Sequence, residues 1–437
     1  MIKNRAGREV TVEVQMDAIL IGAGRRGLGT YSEYAERFPH KLKYVAVAEP
    51  DEEKRERFAA LHGIPPERRF RSWEELVKQP QLARAAFIVT MDRLHFAPAM
   101  AMLKRGYHVI VEKPMSVDPY ECVAMVRSAE KHRRVLAIGH VCRFMPFFDE
   151  IKRAIVSGSL GSVVNISLTE NIGFWHFAQS YVRGNWGKAA ESAPSILAKC
   201  CHDLDLLRWL AGSPVEKLSS MGGLFQFKPE QAPGRVPERC TDGCDHERNC
   251  PYSAYALYID PARFWVRETV RGAGPEAGKK LEMLSESPYS RCVYKAGNDV
   301  CDNQVVQIGF ENGLTATLTM IAHTRDDTRT IRVNGTGGEL HGHLIKNEIR
   351  IRDFLTDKET CLSPEYIKSG HMGGDVRLID SFIDSVDNGR EEHLSSAEES
   401  LESHLMAFAA EESRLKGSVV DMKAFIRDIE QRVPGNS

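Results

Sequence analysis

The sequence predicts an α/β protein, in which a doubly wound parallel sheet at the N-terminal end is followed by a second α/β domain with a mostly antiparallel sheet. Three observations support this fold class. Short apolar runs alternate with helical patterns up to about residue 145, strand-like runs separated by short turns follow later, and 437 residues are too many for one simple core. We therefore expect one domain over residues 1–145 and another over 146–437.

Five short apolar runs are the predicted strands of the first domain. They cover residues 18–22, 44–49, 85–90, 107–112 and 135–140. The segments 51–62, 95–105 and 118–132 between them mix polar and apolar residues as helices do. Because buried strands joined by helices are typical of a parallel sheet covered on both faces, and such connections are right-handed, the pattern predicts a doubly wound sheet.

The second domain has a different pattern. Helices are predicted at 147–157, 194–211, 374–387 and 397–416, and strands at 163–170, 305–310, 315–322, 330–334, 338–343 and 348–352. Successive strands joined by short turns favour antiparallel pairing. A Pro/Gly-rich stretch with several cysteines, about 226–300, has the composition of an insertion. Residues 1–15 are an N-terminal extension to which the sequence assigns no role.

Composition excludes some classes of partner. The formal net charge is only -2, so no electrostatic reason favours nucleic acid or an anionic membrane. The first residues lack the apolar stretch of a secretory signal, and no run is long enough to span a bilayer. We expect a cytoplasmic protein whose partners are small molecules or protein subunits.

A dinucleotide fingerprint follows the first predicted strand. The loop has the pattern GxGxxG and consists of Gly22, Ala23, Gly24, Arg25, Arg26 and Gly27. A strand precedes it, a helical region follows, and Glu49 ends the second strand, which is the context the fingerprint needs. Glu49 would accept hydrogen bonds from the adenosine ribose and repel a 2'-phosphate. NAD is therefore expected over NADP, although Arg25 or Arg26 could neutralise the pyrophosphate or accommodate an extra phosphate.

Further polar residues end the third and fourth strands. Ligands bind at the carboxyl edge of open α/β sheets. The candidates for cofactor contact at this edge are Thr90, His95, Glu112 and Lys113. A purely structural alternative is that Lys113 pairs with Glu112 or caps the strand end.

Several motifs together resemble the Gfo/Idh/MocA family of nicotinamide-dependent oxidoreductases. The glycine loop is followed by G-x-H-V-x-x-E-K-P at Gly106 to Pro114, by Arg143-Phe144 and by Gly158-x-x-Gly161. His202, with Asp205 three residues later, completes the set. The resemblance covers most of the chain, and the insertion is its main divergent part.

The resemblance implies a Rossmann NAD-binding domain and a substrate-binding domain whose open sheet mediates a homo-oligomer, a dimer or tetramer. It also implies hydride transfer between the nicotinamide and a secondary hydroxyl or ketone of a sugar or cyclitol, with Lys113 and His202 as the catalytic residues. A histidine with a near-neutral pKa suits removal of the alcohol proton, and a lysine can stabilise the developing charge. The chain departs from the family at Ala198, where many members have an aspartate, so Asp205 or Asp203 is expected to orient His202.

Substrate contacts are expected from two places. In a helix over 194–211, Lys199, His202 and Asp203 would share one face by i, i+3 and i+4 spacing, opposite an apolar stripe. A solvated Lys199–Asp203 ion pair is the alternative for two of them. The preceding loop is rich in aromatic and polar groups, which suits a sugar platform. The substrate-binding candidates are Lys113, Arg143, His176, Arg183, Trp186, Lys199 and His202, and the loop 371–375 is a second candidate.

The insertion contains Cys240, Cys244 and Cys250, and their spacing suits a structural zinc site with His246, Cys292 or Cys301 as a fourth ligand. Packed or free thiols are the alternative.

Two other functions remain open. One is a glycosidase in which tightly held NAD oxidises and then re-reduces the sugar around an elimination step. The other is a non-catalytic sensor of a sugar or dinucleotide, which would keep the glycine loop but would not need Lys113 and His202 together.

Overall fold

The structure is a computed structural model that describes residues 2–3, 9–10, 15–260, 270, 276–367, 370–388 and 397–433. The chain forms two compact units. Unit 1 comprises Met1–Asp149, Glu365–His404 and Asp428–Ser437, and unit 2 comprises Glu150–Pro364 and Leu405–Arg427. Two segments from the C-terminal part of the chain, Glu365–His404 and Asp428–Ser437, thus belong to the first unit. The expected division at residue 145 did not include them. Most of the expected N-terminal extension, and part of the insertion, lie outside the described residues.

Unit 1 contains a six-stranded sheet in which every pairing is parallel. The strands are β1 (Met16–Ile21), β2 (Leu42–Ala48), β3 (Arg69–Phe70), β4 (Ala85–Ile88), β5 (His108–Val111) and β6 (Leu136–Ile138), in the order β3-β2-β1-β4-β5-β6. All four residues of β4 are buried, as expected for a strand covered on both faces. The predicted doubly wound parallel sheet is confirmed, and the sequence missed only the two-residue strand β3.

Five α-helices lie between the strands of this sheet. They are α1 (Ser32–Arg37), α2 (Glu52–His62), α3 (Trp73–Leu76), α4 (Phe96–Lys104) and α5 (Pro119–His132). Three of them, α2, α3 and α5, begin at a residue whose side chain caps the helix. The side chain of Asp51 accepts a hydrogen bond from the Lys54 amide at the start of α2, and left-handed Gly63 ends that helix. The long α6 (Pro146–Val156) follows β6.

The late segments of unit 1 include a long helix that packs on the sheet. From β6 onward the remaining helices are α7 (Phe174–Phe177), α8 (Ser195–Ala198), α9 (Cys201–Ala211), α10 (Ala254–Tyr258), α11 (Ala277–Glu286), α12 (Gly374–Asn388), α13 (Ala397–Lys416) and α14 (Met422–Arg432). On α12, Phe382 meets Phe87 of β4 edge-to-face at 5.6 Å between ring centres. Asp380 of the same helix accepts hydrogen bonds from Tyr34 and Lys41. These contacts attach α12 to the parallel sheet.

Unit 2 contains a nine-stranded sheet with one parallel pair. Its strands are β7 (Val163–Gly173), β8 (Val215–Gly223), β9 (Asn303–Phe310), β10 (Thr315–Thr324), β11 (Thr328–Gly335), β12 (Gly338–His343), β13 (Glu348–Asp353), β14 (Glu359–Leu362) and β15 (Val420–Asp421), in the order β14-β13-β12-β11-β7-β10-β9-β8-β15. Only β7 and β10 pair in parallel. The predicted mostly antiparallel sheet is confirmed, although β8, β14 and β15 were not predicted.

The predicted helix over residues 194–211 is interrupted. It forms as α8 and α9, with Lys199 and Cys200 between them. The amide of Asp203 bonds to the carbonyl of Cys200, so the turn tightens where α9 begins. The apolar stripe expected on this segment is fully buried and comprises Ile196, Cys200, Leu204 and Leu207. The break lies at Lys199, one of the predicted site residues.

Candidate active site

The glycine loop follows β1 directly, and its three glycines serve different purposes. A Cβ on Gly22 would lie 2.7 Å from the carbonyl oxygen of Val89, and the φ of Gly22 is +96°, so only glycine fits. A Cβ on Gly27 would lie 2.5 Å from the carbonyl oxygen of Gly22. By contrast, a Cβ on Gly24 would meet nothing within 4 Å. Protein packing therefore explains Gly22 and Gly27, whereas Gly24 faces open space of the kind a closely approaching pyrophosphate needs.

The carboxylate of Glu49 lies against this loop. Glu49 follows β2, is 7% exposed, and accepts hydrogen bonds from the amides of Ala23 at 2.7 Å and Asp51 at 3.0 Å. The Arg55 side chain donates to the Glu49 carbonyl at 2.9 Å and fixes the strand end. A carboxylate is thus held against the glycine loop, where the fingerprint requires an acidic residue.

The charge of Arg26 is compensated inside unit 1. Its Nη2 lies 2.6 Å from Glu112 Oε1 and 2.9 Å from Asp375 Oδ1. Tyr31 also donates a hydrogen bond to Glu112. Burial opposes the ionisation of Glu112, but Arg26 outweighs it and holds the pKa of that carboxyl below its ordinary value. Arg26 is therefore engaged with two carboxylates, whereas the neighbouring Arg25 is exposed.

The loop 371–375, which was the second candidate for substrate contact, lies beside the glycine loop because Asp375 contacts Arg26. His371 Nδ1 lies 2.9 Å from Asp375 Oδ2. Burial works against the charge of Asp375, yet His371 and Arg26 lower its pKa to about 2. A chain of contacts thus runs from exposed His371 through Asp375 and Arg26 to Glu112.

The ends of β4 and β5 carry the remaining cofactor candidates. His95 is fully buried, and its ring nitrogens lie 2.7 Å from the Pro114 carbonyl and 3.0 Å from the Thr90 carbonyl. It joins the two strand ends and presents neither ring nitrogen to an open surface. Lys113, half-buried, follows Glu112 and precedes Pro114 in a cis peptide bond. Its amide donates to the Glu112 carboxylate at 3.2 Å.

Arg143 does not lie on an open surface as a substrate contact would. Its side chain is fully buried and forms an ion pair with Glu399 of α13, within unit 1. Arg143 therefore has a structural partner, which sequence reasoning could not identify because 256 residues separate the pair.

Unit 2 contains a buried network of charges around the α8–α9 break. Lys199 Nζ lies 3.0 Å from Glu170 Oε1 of β7. Arg329 of β11 contacts Glu170 at 2.9 Å and holds Asp203 through two hydrogen bonds, of 2.7 and 3.1 Å. Lys199 and Asp203 therefore have separate buried partners, and the alternative of a solvated pair between them is wrong. Sequence reasoning missed Glu170 and Arg329, whose only signal was a charged residue in a strand of alternating pattern.

Burial shapes the protonation of this network. It raises the pKa of Glu170 to about 7, although Arg329 and Lys199 act in the opposite direction. Burial would lower the pKa of Lys199, but the adjacent Glu170 and Asp327 outweigh it and raise that pKa. Lys199 is therefore a cation at neutral pH, held beside a carboxyl group that titrates near neutrality.

His176 joins the same network through Asp327. Its Nδ1 lies 3.0 Å from Asp327 Oδ2, and its ring stacks on Trp175 at 5.5 Å. Despite burial, Lys199 and His176 hold the pKa of Asp327 below its ordinary value. The side chains of His176 and Asp327 are 25% and 30% exposed, so this part of the network faces solvent. His176 and Asp327 therefore form the solvent-accessible edge of the unit 2 network.

Arg183 and Trp186 lie in the segment after α7. Arg183 is 3% exposed and donates to the carbonyls of Arg291 and Tyr252, both at 2.7 Å. It attaches this segment to the insertion instead of presenting its charge on a surface. Trp186 is half-buried, with its ring 6.2 Å from that of Tyr181.

His202 and Asp205 lie in the first two turns of α9. His202 is 7% exposed and Asp205 is fully buried. Because Asp203 is engaged by Arg329, Asp205 is the other acidic residue near His202 in this helix.

Three further expectations concern metals and membranes. Within the part of the chain that is described, no three His, Cys, Asp or Glu side chains are already arranged to hold a metal ion. Cys240, Cys244 and Cys250 are free thiols. No helix among the described residues has the length and apolar character needed to cross a membrane.

The fold and the glycine loop are those of a dinucleotide-binding protein. Residues 16–140 match the model of an oxidoreductase family with an NAD-binding Rossmann fold, and residues 152–422 match the model of its C-terminal alpha/beta domain. The chain belongs to this family, Gfo/Idh/MocA. The expectation of an NAD(P)-dependent dehydrogenase is thereby confirmed at the level of the family.

Individual relatives are distant. YteT of Bacillus subtilis, which carries the name of an oxidoreductase, is 22% identical over 72% of this chain and 78% of its own. Rabbit (Oryctolagus cuniculus) trans-1,2-dihydrobenzene-1,2-diol dehydrogenase is 29% identical over 42% of this chain, which spans only 53% of that enzyme. A solved levoglucosan dehydrogenase, in complex with NADH and levoglucosan, superposes with a TM-score of 0.69 over 93% of this chain and 99% of its own, at 17% identity. The structural likeness supports the fold alone.

Proposed function

We propose that this protein is an NAD-dependent dehydrogenase that transfers a hydride between the nicotinamide and a secondary hydroxyl or ketone of a sugar or cyclitol. One observation carries the proposal: the glycine loop after β1 and Lys113 after β5 follow strands of one parallel sheet. Carboxyl ends of parallel strands share an edge, and ligands of doubly wound sheets bind there. A dinucleotide site and a lysine therefore belong to the same edge.

The charges of unit 1 support NAD over NADP. Glu49 stands against the loop at 2.7 Å from the Ala23 amide, where it would bind ribose hydroxyls and repel a 2'-phosphate. Arg26 would be the natural partner of an extra phosphate, but Glu112 and Asp375 already compensate its charge. The loop from Gly22 to Gly27 would hold the pyrophosphate, with Gly24 allowing its close approach, and the bound cofactor would supply the hydride acceptor.

The proton chemistry is assigned to Lys113 and His202, following the family motif. His202 would take the hydroxyl proton as general base. Lys113 would donate a hydrogen bond to a substrate oxygen and stabilise developing negative charge there. Asp205 is proposed to orient His202, because Asp203 is engaged by Arg329.

The unit 2 network supports a neutral polyol as substrate. Its two cations, Lys199 and Arg329, face the carboxylates of Asp203 and Asp327 and the carboxyl group of Glu170, so no surplus positive charge demands an anionic substrate. His176 and Trp186, both partly exposed, are proposed to contact the hydroxyl groups and apolar faces of the sugar. We also propose a homo-oligomer, in keeping with the family.

A panel of neutral sugars and inositols, assayed for NADH formation at 340 nm, tests the reaction. Replacing Lys113 or His202 by alanine should lower kcat/KM by about 10²- to 10⁴-fold. Lys131→Ala, an exposed lysine of unit 1, is the matched control and should leave turnover unchanged. Full turnover of Lys113→Ala on the true substrate would show that the catalytic assignment is wrong.

Two outcomes would replace the proposal. Cleavage of aryl glycosides with copurified cofactor and no net NADH would identify a redox-assisted glycosidase. Tight NAD or sugar binding without turnover of any substrate, unchanged by both alanine variants, would identify a sensor.

A further inference from the structure

The insertion surrounds a small cavity with four cysteine side chains. Cys240, Cys244, Cys250 and Cys292 all line it, and its volume is about 20 Å³. A space of this size admits one water-sized particle and no larger ligand. Four cysteines from two stretches, 240–250 and 292, therefore line a space for a single ion, and His246 lines it as well.

Backbone contacts bring the two stretches together. Arg239 and Arg291 form an antiparallel bridge, and the amide of Cys292 donates to the carbonyl of Glu238 at 2.9 Å. Hydrogen-bonded turns begin at Cys244, Cys250 and Cys292, whose carbonyls accept from the amides three residues later. Local backbone structure thus brings the two stretches together and leaves the cysteine side chains free to adjust, although the cysteines are as much as 52 residues apart.

A buried cation lies beside the thiols. Arg183 lines the same cavity, and its Nη2 donates to Cys240 Sγ at 3.6 Å. A divalent ion with four thiolates carries a net charge of -2, which is costly to bury unless nearby donors compensate it. Arg183 supplies such a positive charge and an N–H···S hydrogen bond. This gives a reason for burying an arginine here, where it cannot reach solvent.

The insertion also has little regular structure of its own. In its described part, between β8 and β9, the longest helix is α11 with ten residues, and the only strand pairing is the bridge at Arg239. A segment of this kind buries too little apolar surface to be stable alone, and small loop-rich segments commonly need a metal or disulfides.

We propose that Cys240, Cys244, Cys250 and Cys292 bind one structural zinc ion as four thiolates. Cys240-x3-Cys244 has the spacing typical of structural zinc sites, and a closed set of four ligands leaves no position for substrate. The thiols are not yet at ligand geometry, so binding draws them inward around the cavity while each thiol releases its proton. Cys301, the other cysteine near the insertion, does not line the cavity. The site does not depend on the proposed dehydrogenase activity.

The test is the zinc content of the full-length protein, as purified and after incubation with zinc followed by desalting. About one zinc ion per chain is expected. Replacing Cys244 or Cys250 by serine should reduce this to below about a tenth. The matched controls Cys301→Ser and Cys361→Ser, the latter exposed on β14, should keep the ion.

Cobalt substitution of the wild-type protein covers the case in which the serine variants do not fold. Four thiolates around Co²⁺ give intense sulfur-to-metal absorption and the visible bands of a tetrahedral site. Wild-type protein that holds no zinc after incubation, or gives an octahedral cobalt spectrum, overturns the proposal. Zinc retained by Cys292→Ser but lost from His246→Ala would also overturn it, because the fourth ligand would then be histidine.

Discussion

Asp375→Asn tests the contacts of this buried carboxylate beside the glycine loop. The Asp375 side chain is 5% exposed and pairs with Arg26 and His371. Its pKa falls from 3.8 to about 2 in the folded protein. At 1.36 kcal/mol for each pKa unit, ionised Asp375 contributes about 2 kcal/mol to the free energy of unfolding at neutral pH. The asparagine variant should lose this contribution.

The sign of the pH dependence follows from the direction of the shift. A carboxyl whose pKa is lowered by folding stabilises the folded state above its unfolded pKa. The contribution of Asp375 should therefore be complete above about pH 4 and disappear as the pH falls towards 2. The difference between wild type and Asp375→Asn should vanish over the same interval.

Peptide-resolved hydrogen exchange is the appropriate assay, because a chain with two compact units does not guarantee two-state unfolding. Peptides from α12 and from the glycine loop should exchange about 30-fold faster in Asp375→Asn at pH 7. The control is Asp387→Asn on the same helix, where the partly exposed pair with Arg84 should contribute less than about 0.5 kcal/mol. Equal exchange in both variants, or no change in Asp375→Asn, would refute the electrostatic reasoning.

Three other predictions concern NAD binding by the glycine loop, the choice between NAD and NADP, and the stability of unit 2. Gly24→Ala should fold and weaken NAD binding by about tenfold in calorimetry, whereas Gly22→Ala should fail to fold because its Cβ meets the Val89 carbonyl. Glu49→Ala should weaken NAD binding by about ten- to a hundredfold and narrow the preference over NADP, measured as the ratio of the two dissociation constants. Arg329→Met should destabilise unit 2 by about 3–5 kcal/mol in denaturant unfolding, because it leaves buried carboxylates unpaired. Arg332→Met on the same strand, whose arginine is exposed, should change stability by less than about 0.5 kcal/mol.

Much of the fold could be predicted because its signals are local. The apolar runs of the parallel sheet, and the alternating pattern of β9 and β10, reflect burial that repeats with the period of the strand. Strands β3 and β15 were missed because each has only two residues and carries no period, and β8 was missed because its nine residues do not alternate strictly between buried and exposed. The break before α9 was also missed, because the buried apolar stripe of Ile196, Cys200, Leu204 and Leu207 continues across it.

The same distinction between local and long-range signals applies to the residues of the candidate site. The glycine loop and Glu49 were predictable, since a cofactor fingerprint is a local pattern of backbone and charge. The partners of Arg26, Arg143 and Arg183 were not, because each guanidinium pairs with groups far along the chain. A charged side chain in a sequence does not reveal whether it faces a ligand or a buried partner.

The sequence by itself determined the two architectures, the dinucleotide loop and the membership of an oxidoreductase family. Only the tertiary structure decided which charges are already compensated, that Glu170 and Arg329 join Lys199 and Asp203, and that Cys292 lies with the other three cysteines. The reason is physical: secondary structure follows from burial patterns between near neighbours. Electrostatic pairing follows from distances in space, which depend on how the whole chain is folded.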